Sequence, residues 1–117
     1  MVVKRIVANI ATPDVPGVKH CYVDLFGMDV AMAFGWITTL TSEQRAGCQI
    51  SVASEGGSGT DVPDLSIEVD DVDTVYARAK ALGHAIEYGI TDEPWGVRRF
   101  YLRDPTGKVL NILSHID

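Results

Sequence analysis

Amide, hydroxyl and carboxylate side chains recur at alternate positions within several apolar runs of this chain, and they are the residues best suited to chemistry. They are Asn9, Gln49, Ser51, Asp64, Ser66, Glu68 and Asn111. Groups of this kind, few and convergent, orient a small ligand by hydrogen bonding. Trp36 and Trp95 flank the same runs, where an apolar ring with a single donor can cover a ligand. Arg98, Arg99 and Arg103 follow Trp95 and could hold a carboxylate or phosphonate. At least one of the three is expected to pair with a nearby acid such as Glu93 or Asp104, and Arg98 is the candidate ligand contact. Asp64 and Glu68 could instead meet a cation, or act as a general base if a cleft raises their pKa. The competing reading is an ordinary solvated sheet face, but such faces carry long charged side chains, and here amides and hydroxyls dominate.

Other reactive groups suggest less. His20, His84 and His115 show no metal-type spacing, and no G-x-S-x-G elbow or Cys–His arrangement supplies a nucleophile. Cys21 and Cys48 lack a C-x-x-C pattern and lie in apolar runs, so both read as small buried side chains.

The elements that must position these residues repeat. A strand-like run ending near Ile10 leads to Asp14, which opens a helix stopping at Gly27. A second run, at 64–69, leads to Asp71, which opens a helix stopping at Gly83. The aspartates lie 57 residues apart and the glycines 56. Aspartate suits an N-cap because its carboxylate accepts the orphan amide hydrogens of the first turn, and glycine suits the left-handed residue after a helix. Helical spacing puts Val18, Cys21, Tyr22 and Leu25 on an inward face of the first helix, and Val72, Val75, Tyr76, Ala79 and Leu82 on that of the second. Strands are expected at about 28–34, 36–41 and 47–53, then 84–88, 97–103 and 108–114. Asp104-Pro105-Thr106-Gly107 fits a type I turn joining the last two. Residues 54–60, rich in glycine and serine, read as a flexible connector.

In four strands one parity is apolar: Ile6, Ala8 and Ile10; Cys48, Ile50 and Val52; Leu65, Ile67 and Val69; Leu110 and Ile112. These residues are expected to pack on the helices, leaving the polar parity on the opposite face as the wall of a cup.

With 117 residues, 46% of them hydrophobic, one domain is expected, with module 1 at about 1–55 and module 2 at about 62–117. A chain of this size gains from pairing with a second copy. The formal charge of −6 argues against nucleic-acid binding. No run reaches the length of a membrane span, and the opening residues do not form a signal peptide, so a cytoplasmic protein is expected.

The chain resembles the vicinal oxygen chelate superfamily of glyoxalases, bleomycin-resistance proteins, extradiol dioxygenases and fosfomycin-resistance enzymes. The resemblance rests on Ile10-Ala11-Thr12-Pro13-Asp14 with Gly27, on the run Ile67-Glu68-Val69-Asp70-Asp71-Val72-Asp73, and on the segment from Pro94 to Gly107. It implies an α+β fold in which two βαβββ modules form a U-shaped mixed sheet around a cleft, commonly within a homodimer. Metal enzymes of the family place ligands on the first and last strand of each module. Those positions fall here on Val7, Gln49, Asp64 and Asn111, a poor cage for a divalent metal, so no metal or other cofactor is expected. The resemblance therefore implies a metal-free protein that holds an aromatic or charged small molecule. A metal-dependent lyase, or a metal-free isomerase or epimerase, is the alternative.

Overall fold

The computed structural model describes residues 2–42 and 49–116. Cys48, and the start of the strand expected from residue 47, lie outside the described residues. In chain order the elements are β1 (Val3–Ala11), α1 (Val15–Phe26), β2 (Asp29–Ala33), β3 (Ile37–Thr41), β4 (Gln49–Ala53), β5 (Leu65–Val69), α2 (Val72–Ala81), β6 (Ile86–Glu93), β7 (Val97–Arg103) and β8 (Val109–His115). The fold is α+β with mixed strand directions. Two compact units emerge, Val7–Val62 and Met1–Ile6 with Pro63–Asp117.

The boundaries follow from local chemistry. Asp14 caps α1 by accepting the Gly17 amide at 3.0 Å, and Gly27 ends it in the left-handed region. Asp71 caps α2 by accepting both the amide and the hydroxyl of Thr74. Asp104 closes the β7–β8 hairpin, where its backbone carbonyl accepts the Gly107 amide and its carboxylate the amides of Thr106 and Lys108.

In the Val7–Val62 unit the strand order is β2-β3-β4-β1, with β4 antiparallel to β3 and parallel to β1. Register places Ile10, Leu40 and Val52 on one face, and Asn9, Thr39 and Ser51 on the other. Leu40 and Val52 are fully buried. Helix α1 lies against β3 and β4, yet Val15 is its buried residue. Cys21 is exposed, and Leu25 is 71% exposed. The inward face expected of α1 is therefore only partly covered. Along β1 the expected pattern is inverted, with Ile6 56% exposed and Val7 4%. Alternation establishes which residues share a face; it does not establish which face is covered. The 54–60 stretch is not an open connector: the Gly56 amide donates to the Thr60 carbonyl, Thr60 donates twice to the Gly57 carbonyl, and both glycines are buried.

In the other unit the order is β5-β8-β7-β6, with β5 parallel to β8 and the remaining neighbours antiparallel. Here the helix sends Val72 and Ala79 into the core, although Leu82, expected on its inward face, is 69% exposed. Val69, Val72, Ala79, Phe100, Leu102 and Ile112 form the core, and the Tyr76 ring meets Phe100 edge-on at 4.9 Å.

Candidate functional site

The chemistry-bearing residues of the Pro63–Asp117 unit gather on the sheet face opposite α2. Phe100 and Leu102 point into the core, so Arg99 and Tyr101, one residue out of step, face the other way. Register then aligns Ser66 with Asn111 and Tyr101, and Glu68 with Leu113 and Arg99. Strand β6 adds Tyr88 and Glu93. A register shift between Tyr88 and Thr91 brings these residues, five apart, close enough for the Tyr88 hydroxyl to donate to Glu93. The loop Pro94-Trp95-Gly96 closes the β6–β7 hairpin with Gly96 at φ +90°, a value glycine adopts without strain, and it sets Trp95 beside Arg99.

The centre is a buried ion pair. Arg99 meets Glu93 at 2.6 Å, with both side chains 3% exposed. Its Nε donates to the same carboxylate, and its Nη1 donates to the Tyr101 hydroxyl at 2.9 Å. The guanidinium carbon lies 4.9–5.3 Å from the ring centroids of Tyr101, Trp95 and Tyr88. A charge pair this deeply buried is tolerable only when its donors and acceptors are satisfied, as they are here. Next along the face, the Asn111 amide nitrogen donates to the Ser66 hydroxyl at 3.0 Å. Asn111 is 8% exposed, and its Oδ1 has no hydrogen-bond partner among the described residues.

The candidate residues from the sequence fall into separate places. Ser66 and Asn111 bond to each other, and Trp95 joins the arginine cluster. Arg98 does not: it shares the Phe100 parity and bridges Asp73 and Asp92 on the helix side, so its neighbour Arg99 takes the place foreseen for it. Asp64 is exposed, and its carboxylate accepts the Val109 amide at 2.8 Å. Glu68 is held by Arg5 at 2.6 Å and His115 at 3.0 Å. Burial alone would push its carboxyl up, but the His115 hydrogen bond and the Arg5 charge outweigh that and keep it below the ordinary glutamate value. The raised pKa expected of a general base is thus reversed at Glu68. In the Val7–Val62 unit, Asn9 is half-buried in line with Ser51, which shares a 2.7 Å hydrogen bond with Thr39. Gln49 pairs with Thr41, and Trp36 stacks loosely on Phe34.

The pairing of one arginine with Glu93, expected from the sequence, falls to Arg99, whereas Tyr101 and Tyr88 were missed. The alternation used for β1, β4, β5 and β8, extended to β7, places Tyr101 and Arg99 on this face.

Of the four positions to which the resemblance assigns the family's metal ligands, Val7 is a buried hydrocarbon side chain, Gln49 and Asn111 are amides, and Asp64 is a carboxylate already accepting a backbone amide. Among the described residues, no three His, Cys, Asp or Glu side chains are grouped to hold a metal, and no helix is long and apolar enough to cross a membrane.

No curated protein matches the chain significantly. Solved structures do. An NAD-dependent benzaldehyde dehydrogenase from Legionella pneumophila superposes with a TM-score of 0.76 at 14% identity, covering 95% of this chain and 99% of its own. A glyoxalase/bleomycin resistance protein/dioxygenase superfamily member from Vibrio splendidus 12B01 gives 0.70 at 17% identity, over 97% and 99%. Methylmalonyl-CoA epimerase from Mycobacterium tuberculosis gives 0.66 at 16% identity, over 98% and 88%. At these identities the likeness is one of fold. Residues 4–112 match the model of the Glyoxalase/Bleomycin resistance protein/Dioxygenase superfamily, and the chain belongs to that superfamily.

Proposed function

We propose that this protein is a metal-free small-molecule-binding member of its superfamily, and that it captures its ligand on the helix-free face of the Pro63–Asp117 unit. One observation carries the reading: polar side chains on that face are buried, whereas a solvated face would leave them open. Asn111, Arg99 and Glu93 are each at most 8% exposed, and Trp95 and Tyr88 beside them are half-buried. Buried polar groups next to aromatic rings form the sort of surface that fixes a small ligand's orientation. The donor set at residues 7, 49, 64 and 111 does not suit a transition ion, which favours His, Cys or several carboxylates, so no step is routed through a metal. An isomerase or epimerase is the weaker reading, because Glu68 is an ion-paired carboxylate of lowered basicity. The proposal also includes a cytoplasmic homodimer.

The test isolates Trp95 in a Trp36→Phe variant and follows its fluorescence against a panel of small aromatic cations, anions and neutral amides. Saturable quenching is expected, with no stoichiometric uptake of zinc, nickel or manganese by calorimetry. Tight binding of one metal ion per chain would overturn the metal-free reading. Failure of every compound to quench Trp95 would overturn the binding reading.

A further inference from the structure

We infer that the ligand presents a hydrogen-bond donor to Asn111 Oδ1 and is neutral or cationic, not anionic. The inference rests on the binding reading above and assigns the chemical class that reading leaves open.

An anion would need a cationic partner, and the arginines near this face are already paired with carboxylates. The Arg99 guanidinium is neutralised by Glu93 through two contacts of 2.6–2.7 Å, and its Nη1 is given to Tyr101. The Asn111 amide nitrogen is given to Ser66. Arg98 lies on the opposite parity, paired with Asp73 and Asp92. The polar atom left over is an acceptor, Asn111 Oδ1, buried and without a partner among the described residues. A buried acceptor left unsatisfied costs free energy that a ligand N–H or O–H would recover. The aromatic rings favour the same class: those of Tyr88 and Trp95, half-buried beside Arg99, carry electron-rich faces that attract a cation or an N–H donor. A carboxylate or phosphonate placed here would present no donor to Asn111 Oδ1.

Three flat probes of nearly equal shape separate the possibilities: benzamidine (cation), benzamide (neutral donor) and benzoate (anion). Each is titrated into the Trp36→Phe protein with Trp95 fluorescence and calorimetry as readouts, and again after adding Asn111→Leu or Asn111→Asp. Benzamidine and benzamide are expected to bind, and benzoate to bind at least about tenfold more weakly, the ratio expected for one buried hydrogen bond lost. Asn111→Leu should weaken benzamidine and benzamide by about tenfold. Asn111→Asp keeps an acceptor at the same place and should retain benzamidine, which guards against a folding defect in the leucine variant. Benzoate binding more tightly than the other two would overturn the assignment and leave the binding reading intact. Binding of all three unaffected by either substitution would also overturn it, showing that Oδ1 does not meet the ligand. Absence of binding by any probe would sink both readings.

Discussion

The two units share one wiring and differ in what they do with it. Each runs strand, helix and three strands, and each pairs its first strand in parallel with its last, β1 with β4 and β5 with β8. Each helix is capped by an aspartate. Yet α2 closes a core around Phe100, whereas α1 leaves Leu25 and Phe26 largely exposed. Their polar faces diverge as well. One carries the modest hydroxyl pair of Thr39 and Ser51; the other carries a buried ion pair ringed by aromatics. Caps, turns and strand pairing tolerate many side chains, so a duplicated topology survives while facing chemistry drifts. The unit with the better core also bears the costlier polar cluster, as expected if burying charge requires a rigid frame.

The largest expected effect comes from breaking that frame. Phe100 is fully buried against Tyr76, so Phe100→Ala should cost about 3–5 kcal/mol in urea unfolding, the range for emptying a core aromatic site. A loss under about 1 kcal/mol would mean that α2 is no better seated than α1, and the contrast between the units would collapse.

A smaller effect concerns the tie between β1, β5 and β8. Glu68 is bonded by Arg5 and His115, and its folded pKa lies below the ordinary value. Its contribution is therefore fully present above the unfolded glutamate pKa of about 4.3 and is lost as pH falls through the lower folded value. Glu68→Gln should cost under about 1 kcal/mol at pH 6, since Arg5 and His115 are themselves about half-exposed and solvent screens the pair. The gap between the two proteins should close as pH falls through the lowered folded pKa of Glu68, below which both carry a neutral side chain. A gap that widens on acidification would reverse the assigned sign.

Much of this architecture is legible in the residues. Asp14, Gly27, Asp71 and Gly83 mark helix ends through backbone chemistry that needs no tertiary partner, and Asp104-Pro105-Thr106-Gly107 makes its turn from its own side chain. The site was less legible. Alternation works where a strand is regular, but β6 shifts register between Tyr88 and Thr91, so Tyr88 and Glu93 reach one another at a spacing that strict alternation would divide between faces. Arg98 and Arg99 are the same residue type one step apart, and what separates them is where Phe100 points. Coverage is a tertiary property too: Cys21 and Leu25 sit at proper helical spacing, yet nothing among the described residues of their unit covers them.

The smallest effect is aimed at that uncovered face. Leu25 is 71% exposed, so its side chain gains little from folding of the chain, and Leu25→Ser should change urea-unfolding stability by no more than about 0.5 kcal/mol. Measuring it across a hundredfold range of protein concentration makes the result decisive. If α1 is open in solution, the change stays small at every concentration. A loss that grows with protein concentration would mean that a second copy covers the helix and that the exposed leucine is an interface residue. The difference in helix burial between the units would then belong to the isolated chain rather than to the assembled protein. Phe26→Ser, one residue on and 66% exposed, should follow Leu25→Ser in either case, because both lie in the last turn of α1.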